Sequence, residues 1–265
     1  MNRTTLSYAR RIKKCSDAKK SSMVLALDSQ YSNDKQIKTI EKILDRLEAY
    51  ICAIKINFHI LLSFSREQVK ALNELAHSYG LQSIADIKLN DIGSTNLEAV
   101  SRLKSMEFDC IIANPVMGRE GLFSLVKFAH KLKMGIISVI YMSTPYAHQS
   151  YGLNVIVNGE KNLCQTMPLY KIFLHYSNIS RVDGLVVGAN QAQIIRAVST
   201  ISLIPIYSPG VGIQGGDVKK AIKNGSKYII VGRSVLESSD PVTIISKMRN
   251  ISNELSSKAH LLRNP

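Results

Sequence analysis

Leu81-Gln82-Ser83-Ile84-Ala85-Asp86-Ile87-Lys88-Leu89-Asn90-Asp91-Ile92-Gly93-Ser94-Thr95-Asn96 begins as a strand and ends as the start of a helix. Leu81 to Ala85 is a short, mainly apolar run, and a helix is predicted from about Thr95 to Met106. Between them lie two carboxylates and an ammonium, Asp86, Lys88 and Asp91. Strand residues i and i+2 face the same side, so Asp86 and Lys88 project together and Asp91 follows in the loop. Charges at a strand end are costly unless they are solvated or serve chemistry. On its own the cluster is compatible with a metal site, an ion pair or a catalytic group.

The same order of strand, polar connection and helix recurs in both directions. Upstream, Met23 to Leu27 reads as the first strand, with Ile37, Ile40, Leu44 and Leu47 at helical spacing after it. Ile51 to Ile54 reads as the second, followed by a helix that Ser65 and Gln68 cap and Gly80 stops. Downstream, strands are predicted at Cys110–Ala113, Ile136–Tyr141, Gly184–Val187, Leu203–Tyr207 and Tyr228–Val231. Helices are predicted over Gly121–Leu132, Gln191–Val198 and Val218–Lys223, with a last one opened by Asp240 and Pro241.

Eight near-continuous apolar strands, each followed by helical material, predict a parallel sheet covered by helices. Eight such units in about 250 residues match an α/β (β/α)8 TIM barrel in a single domain; a doubly wound open sheet is the competitor. Ser143 to Arg181 is too long for one simple connection and is expected to hold a flexible loop, then a helix near Pro168 to His175. The barrel is assigned to residues 23–265 and a basic, helical N-terminal segment to residues 1–22.

The chain has 265 residues, 45% of them apolar, and a formal net charge of +14. Residues 1–22 hold seven Lys or Arg against one Asp. No motif or aromatic-studded basic strand for nucleic acid accompanies this charge, so a Lys-rich surface is favoured over a nucleic-acid partner. No run has the length of a membrane span or a signal peptide. The four scattered cysteines lack metal-ligand spacing and fit reduced thiols in a cytoplasm.

In a barrel, reactive groups collect where strands end. Those ends carry Asp28; Lys55 and Asn57; Asp86, Lys88 and Asp91; and Ser143. The seventh strand runs into Ser208-Pro209-Gly210-Val211-Gly212-Ile213-Gln214-Gly215-Gly216-Asp217, and the eighth into Gly232-Arg233-Ser234. Glycines let backbone N–H groups approach an anion, the next helix offers its N-terminus, and Arg233 adds a fork for phosphate oxygens. Asp28 also reads as a helix cap and Ser143 as a turn residue. The histidines show no ligand spacing, so no metal site is expected, although Asp28 and Asp86 are the right types for Mg2+ in another design.

Leu27-Asp28, Ile54-Lys55, Asp86-x-Lys88-x-x-Asp91-Ile92-x-x-Thr95, Pro209-Gly210-x-Gly212-x-Gln214-Gly215-Gly216-Asp217 and Gly232-Arg233-Ser234 together resemble the orotidine 5′-phosphate decarboxylase family, most like its compact archaeal type. The resemblance spans most of residues 22–245. It implies decarboxylation of orotidine 5′-monophosphate to UMP and CO2 in de novo pyrimidine biosynthesis, without metal or organic cofactor. It implies a Lys55-Asp86-Lys88-Asp91 array, with Lys88 as proton donor. It further implies a homodimer in which Asp91 and Thr95 serve the partner's site. Asp28 and Lys55 would bind ribose hydroxyls and Ser143 the pyrimidine. Gln214 would bridge base and phosphate, Gly232 and Arg233 would hold the phosphate, and Pro209 and Gly215 would join the substrate-binding residues. Gly93 stands where many members have Pro, and Ser143 to Arg181 matches only at its start.

Two rivals remain open. The sugar-phosphate branch of the same suprafamily, 3-keto-L-gulonate 6-phosphate decarboxylase and hexulose-phosphate synthase, uses Mg2+ and has an acid at the second-strand position. Lys55 stands there in this chain and would repel the metal. A basic nucleic-acid-binding barrel would leave Asp28, Asp86 and Asp91 facing phosphates of like charge.

Overall fold

The computed structural model describes residues 6–27, 34–158, 164–212 and 214–263. Helix α1 (Tyr8–Lys19) comes first, then β1 (Met23–Leu27), α2 (Asp34–Leu47) and β2 (Ala53–Asn57). Next come α3 (Phe58–Ser63), α4 (Arg66–Ser78), β3 (Gln82–Leu89), α5 (Gly93–Ser105), β4 (Cys110–Ala113), α6 (Gly118–Lys131) and β5 (Gly135–Tyr141). A hairpin, β6 (Asn154–Asn158) and β7 (Cys164–Pro168), leads into α7 (Leu169–Ser180). The chain closes with β8 (Gly184–Val187), α8 (Ala192–Ile201), β9 (Ile206–Ser208), α9 (Val218–Lys223), β10 (Ser226–Val231), α10 (Arg233–Leu236) and α11 (Pro241–Arg263).

Eight parallel strands close a barrel in the order β1-β10-β9-β8-β5-β4-β3-β2. Each barrel strand is buried along nearly its whole length, as expected for strands covered by helices outside and by one another's side chains inside. The predicted cap of α4 forms: Ser65 Oγ accepts from Gln68 N at 3.3 Å, and Gln68 Oε1 accepts from Ser65 N at 2.7 Å.

β2 and β3 reach further than their apolar runs suggest. β2 starts at Ala53 and continues through Lys55 and Asn57, and β3 continues through Asp86 and Lys88 to Leu89. Their backbones stay paired, Lys55 with Ala26 and Ile84, and Asn57 with Asp86. The charged residues therefore lie on the strands themselves rather than in the loops beyond. β9 is shorter than predicted: it begins at Ile206, after Pro205, which has no N–H for a ladder, and after the fully exposed Leu203.

The Ser143–Arg181 region holds the expected helix, α7, from Leu169, but a hairpin stands where a flexible loop was expected. Its antiparallel strands pair Val155 with Met167 and Val157 with Gln165. Exposure alternates from Asn154 to Val157, exposed then half-buried, the period of two that a strand requires, although the residue types themselves do not alternate. The hairpin root is held by Tyr151, whose ring lies 5.9 Å from Tyr141 and 6.0 Å from Phe173.

The basic N-terminal segment closes the floor of the barrel, the end where strands begin. Tyr8, Ile12 and Cys15 fall on one face of α1 and are buried. The Tyr8 hydroxyl lies 3.5 Å from that of Tyr207, which stacks on Tyr228. Arg11, also buried, donates to Gln82 Oε1, Asp109 Oδ1 and the carbonyls of Leu6 and Lys133. Arg10, Lys13 and Lys14 lie on the outer face.

Candidate active site

The charged strand ends of β2 and β3 converge at the other mouth. Lys55 pairs in register with Ile84, so Asp86 is its diagonal neighbour on the same sheet face. Lys55 Nζ reaches Asp86 Oδ2 at 2.6 Å and also donates to Asn57 Oδ1. Lys88 Nζ reaches Asp86 Oδ1 at 2.8 Å. One carboxylate is thus held between two ammonium groups, one on each oxygen.

The two lysines arrive differently. Lys55 sits on a regular strand, and its side chain is only 5% exposed. Lys88 stands in an irregularity of β3, where Asp86 faces Ile112 and Leu89 faces the very next residue, Ala113. Lys88 takes φ +47° there, in the left-handed region. This kink, rather than plain i, i+2 alternation, turns Lys88 back onto Asp86. Its side chain remains 40% exposed and faces the cavity.

Burial by itself opposes ionisation of Asp86, but Lys55 and Lys88 more than offset it. The carboxyl is held at about 2, below its ordinary value of 3.8. Asp86 is a fixed anion across the physiological range.

A cavity of about 240 Å³ opens above this array. Of the residues singled out in the sequence, Lys55, Asp86, Lys88, Ser143, Pro209, Gln214, Gly232 and Arg233 line it. Ile112, Val139, Val186 and Ile230 add apolar wall. A concave site with apolar wall and a few converging polar and charged groups suits a small anionic ligand.

The glycine-rich loop is built otherwise than its composition suggests. Gly212 N donates to Gly216 O, Gly215 N to Gly212 O and Gly216 N to Gly210 O, at 2.8 to 3.0 Å. These three N–H groups hold the loop to itself rather than facing an anion. Gly215 is exposed and outside the cavity lining. The N-terminus of α9 is occupied as well, because Asp217 Oδ1 accepts from Lys220 N at 2.6 Å. What the loop presents to the cavity is Gly210, Val211 and the Gln214 side chain. Gly210 takes φ +91°, and a Cβ there would stand 2.6 Å from Gln214 Oε1 and 2.7 Å from Ser143 Cβ. Only glycine lets those two side chains approach.

Asp91 and Thr95 are exposed and do not line the cavity. Their loop is nevertheless firmly shaped. Asn96 Oδ1 accepts from Asp91 N at 3.0 Å and Asn96 Nδ2 donates to Asp91 O at 2.6 Å, so one amide clasps both sides of that residue's backbone. Between Asp91 and Thr95, Ile92 is 70% exposed. Asp28 lies outside the described residues.

Three residues given no role from the sequence belong to this neighbourhood. Asn57 lines the cavity two residues beyond Lys55, a strand period that signals a shared face. Ser234 lines it beside Arg233, and its buried Oγ has no hydrogen-bond partner. Asn190 Nδ2 donates to Ser143 O at 3.0 Å; a lone Asn after an apolar run carries no signal that would have singled it out. Among the described residues, no three or more His, Cys, Asp or Glu side chains gather as a metal site. No described helix is long and apolar enough to cross a membrane.

The family model of the orotidine 5′-phosphate decarboxylase / HUMPS family matches residues 21–248. Orotidine 5′-phosphate decarboxylase of Thermoplasma volcanium is 32% identical over 242 residues, covering 91% of this chain and 98% of the relative. Among solved structures, orotidine 5′-monophosphate decarboxylase of Methanocaldococcus jannaschii, complexed with the inhibitor BMP, superposes with a TM-score of 0.73 at 26% identity, covering 87% of this chain and 98% of that one. A Toxoplasma gondii structure superposes with a TM-score of 0.81 over 96% of this chain and 98% of that one; at 19% identity it speaks for the fold alone.

Proposed function

The chain belongs to the orotidine 5′-phosphate decarboxylase / HUMPS family, and from that premise we propose that it converts orotidine 5′-monophosphate to UMP and CO2 with its own side chains alone. The observation that carries this reading is Lys55. It is a buried ammonium 2.6 Å from Asp86, at the position where the Mg2+-dependent branch needs an acid. A cation there is matched to an anionic substrate and mismatched to a divalent metal.

The chemistry follows from charge. Loss of CO2 leaves an electron pair on C6 of the pyrimidine. Lys88, exposed to the cavity and in the reach of Asp86, supplies a positive charge to stabilise that carbanion and then a proton to quench it. Asp86, ionised throughout, holds both lysines in place and presents its charge near the departing carboxylate. In this reading Ser143 faces the base, Lys55 the ribose, Gln214 bridges base and phosphate, and Arg233 holds the phosphate; all four line the cavity. Asp28 joins the ribose contacts in this reading, Gly232 joins Arg233 at the phosphate, Pro209 lines the same cavity, and Gly215 contacts substrate only once the glycine-rich loop closes. Binding energy from the phosphate, remote from C6, is available to close the Gly210–Gly216 loop.

The functional unit in this reading is a homodimer, with Asp91 and Thr95 completing the partner's array. Their exposure outside their own cavity supports this arrangement. So does the apolar surface beside them: Ile92, Phe58, Leu62 and Val116, from adjacent connections, are each more than half exposed. A monomer gains nothing from such a surface, whereas a second copy covers it.

The test is to mix the protein with orotidine 5′-monophosphate and follow orotate absorbance, with and without EDTA. The expected result is loss of absorbance that EDTA leaves unchanged. No loss overturns the reading, and activity abolished by EDTA transfers the protein to the metal-dependent branch.

A further inference from the structure

We propose that Asn190 is a positioning residue that clasps the backbone of Ser143 and completes its grip when a pyrimidine enters the site. The inference rests on the functional reading above and adds to it a residue outside the cavity lining. Asn190 follows β8, and its Nδ2 already donates to Ser143 O at 3.0 Å. The other end of the same amide is unused: Asn190 Oδ1 is buried without a hydrogen-bond partner. A buried acceptor left empty is costly, so a donor that reaches it is favoured.

A candidate donor is Ser143 N. A Cβ built on Gly188 would stand 2.9 Å from Ser143 N and 2.8 Å from Asn190 Oδ1, so both atoms flank one point. Absence of a side chain at residue 188 leaves the path between them open. A movement of Ser143 toward Asn190 closes it. Asn190 would then hold Ser143 by N–H and C=O together. The molecule already uses this device once, where Asn96 clasps Asp91 through both backbone groups. In the β3 connection the clasp is complete; beside Ser143 it is half made.

Ser143 also abuts the glycine-rich loop, since the Cβ position of Gly210 is 2.7 Å from Ser143 Cβ. Ala189, next to Asn190, donates from its N to Pro209 O at 2.7 Å. The clasp thereby sets Ser143 relative to the loop that carries Gln214. Its effect belongs to recognition of the base, not to the Lys88 proton.

The experiment compares UMP with ribose 5-phosphate as competitive inhibitors of wild type, Asn190→Ala, Asn190→Asp and Gly188→Ala. Asn190→Asp keeps the shape and removes the donor to Ser143 O; Gly188→Ala wedges the path. Each variant is expected to bind UMP about tenfold or more weakly and ribose 5-phosphate as wild type does, with KM raised more than kcat is lowered. Equal weakening of both ligands, or of neither, overturns the inference. Thermal unfolding of each variant accompanies the assay; if Gly188→Ala does not fold, the two Asn190 variants decide. A wild-type protein inert toward orotidine 5′-monophosphate overturns the functional reading and this inference with it. An active wild type with unchanged Asn190 variants overturns the inference alone.

Discussion

Lys55 and Asp86 meet across the β2–β3 ladder as diagonal neighbours, Nζ to Oδ2 at 2.6 Å, with both side chains almost wholly out of water. The pair is not an isolated ion pair in the core, because Lys88 claims the second carboxylate oxygen. Two cations on one anion leave a net positive charge facing the cavity.

Lys55→Met removes the buried cation and leaves Asp86 with Lys88 alone. Breaking a buried pair costs about 3–5 kcal/mol when the survivor has no other partner; with Lys88 remaining, a loss of about 2 kcal/mol is expected. Activity is expected to fall by roughly 10²-fold or more, since the array loses a positioned charge. The acid limb of stability shifts too. A depressed carboxyl pKa contributes stability above the unfolded value of 3.8 and loses it as pH falls through about 2. In Lys55→Met that loss is expected at a higher pH. Urea unfolding between pH 2 and pH 7 measures the shift, and an unchanged acid limb contradicts the assignment.

The proposed division of the cluster between two subunits has a quantitative consequence. Lys88→Ala and Asp91→Ala homodimers are each expected to lose turnover by 10²-fold or more while remaining folded. Random exchange makes about half the dimers mixed, and each mixed dimer has one intact site of two. Mixing equal amounts therefore restores about a quarter of wild-type activity. No recovery, with subunit exchange confirmed by mass spectrometry, places Asp91 in its own barrel or outside the chemistry.

The floor of the barrel repeats one device. Asp109 accepts from Ser83 N and faces His77 Nε2; Asp183 accepts from Ile136 N and faces His130 Nε2 at 2.8 Å. The hydrogen bond to Asp183 raises the His130 pKa above its ordinary 6.5, against the opposing effect of burial. A raised histidine pKa contributes stability that is full below the unfolded value and is lost as pH rises through the folded one. His130→Ala is therefore expected to destabilise the protein more at pH 5.5 than at pH 8.5, by denaturant unfolding at both. The same loss at both values means the imidazole acts by packing alone.

Much of the barrel is legible because apolar runs and helical periodicity are properties of the core. Met23–Leu27, Gly184–Val187 and Val218–Lys223 form with the bounds their patterns suggest. The misplacements cluster at the mouth. β2 and β3 run on through Lys55, Asn57, Asp86 and Lys88 because backbone pairing ignores side-chain charge, while a hydropathy pattern ends at the first charge. The glycines after β9 look like anion donors, yet the N–H groups of Gly212, Gly215 and Gly216 are committed within the loop, a fact of geometry that composition does not carry. Asn190 and Ser143 are distant in sequence and joined only by the fold. The hairpin was not legible, because Asn154-Val155-Ile156-Val157-Asn158 carries no polar–apolar alternation to mark a strand.

The N-terminal segment shows how charge count and charge placement differ. Its basic residues suggested a polyanion partner as one reading, but Arg11 points inward and is spent on the floor, at 3.1 Å from Asp109 Oδ1. Arg11→Met keeps the length and apolar packing and leaves Asp109, 5% exposed, without its guanidinium. Stranding a buried carboxylate costs about 3 kcal/mol or more, softened here by His77 and Ser83 N. For a protein of this size that corresponds to roughly 6–12 °C in Tm. The cavity lies at the opposite end of the strands, so kcat and KM at 20 °C are expected to stay within about twofold of wild type. Lys13→Ala and Lys14→Ala, on the outer face of the same helix, are expected to leave Tm unchanged. Scanning calorimetry with parallel kinetics separates the two faces. If Arg11→Met melts as wild type does, α1 is an appendage to the barrel rather than its floor.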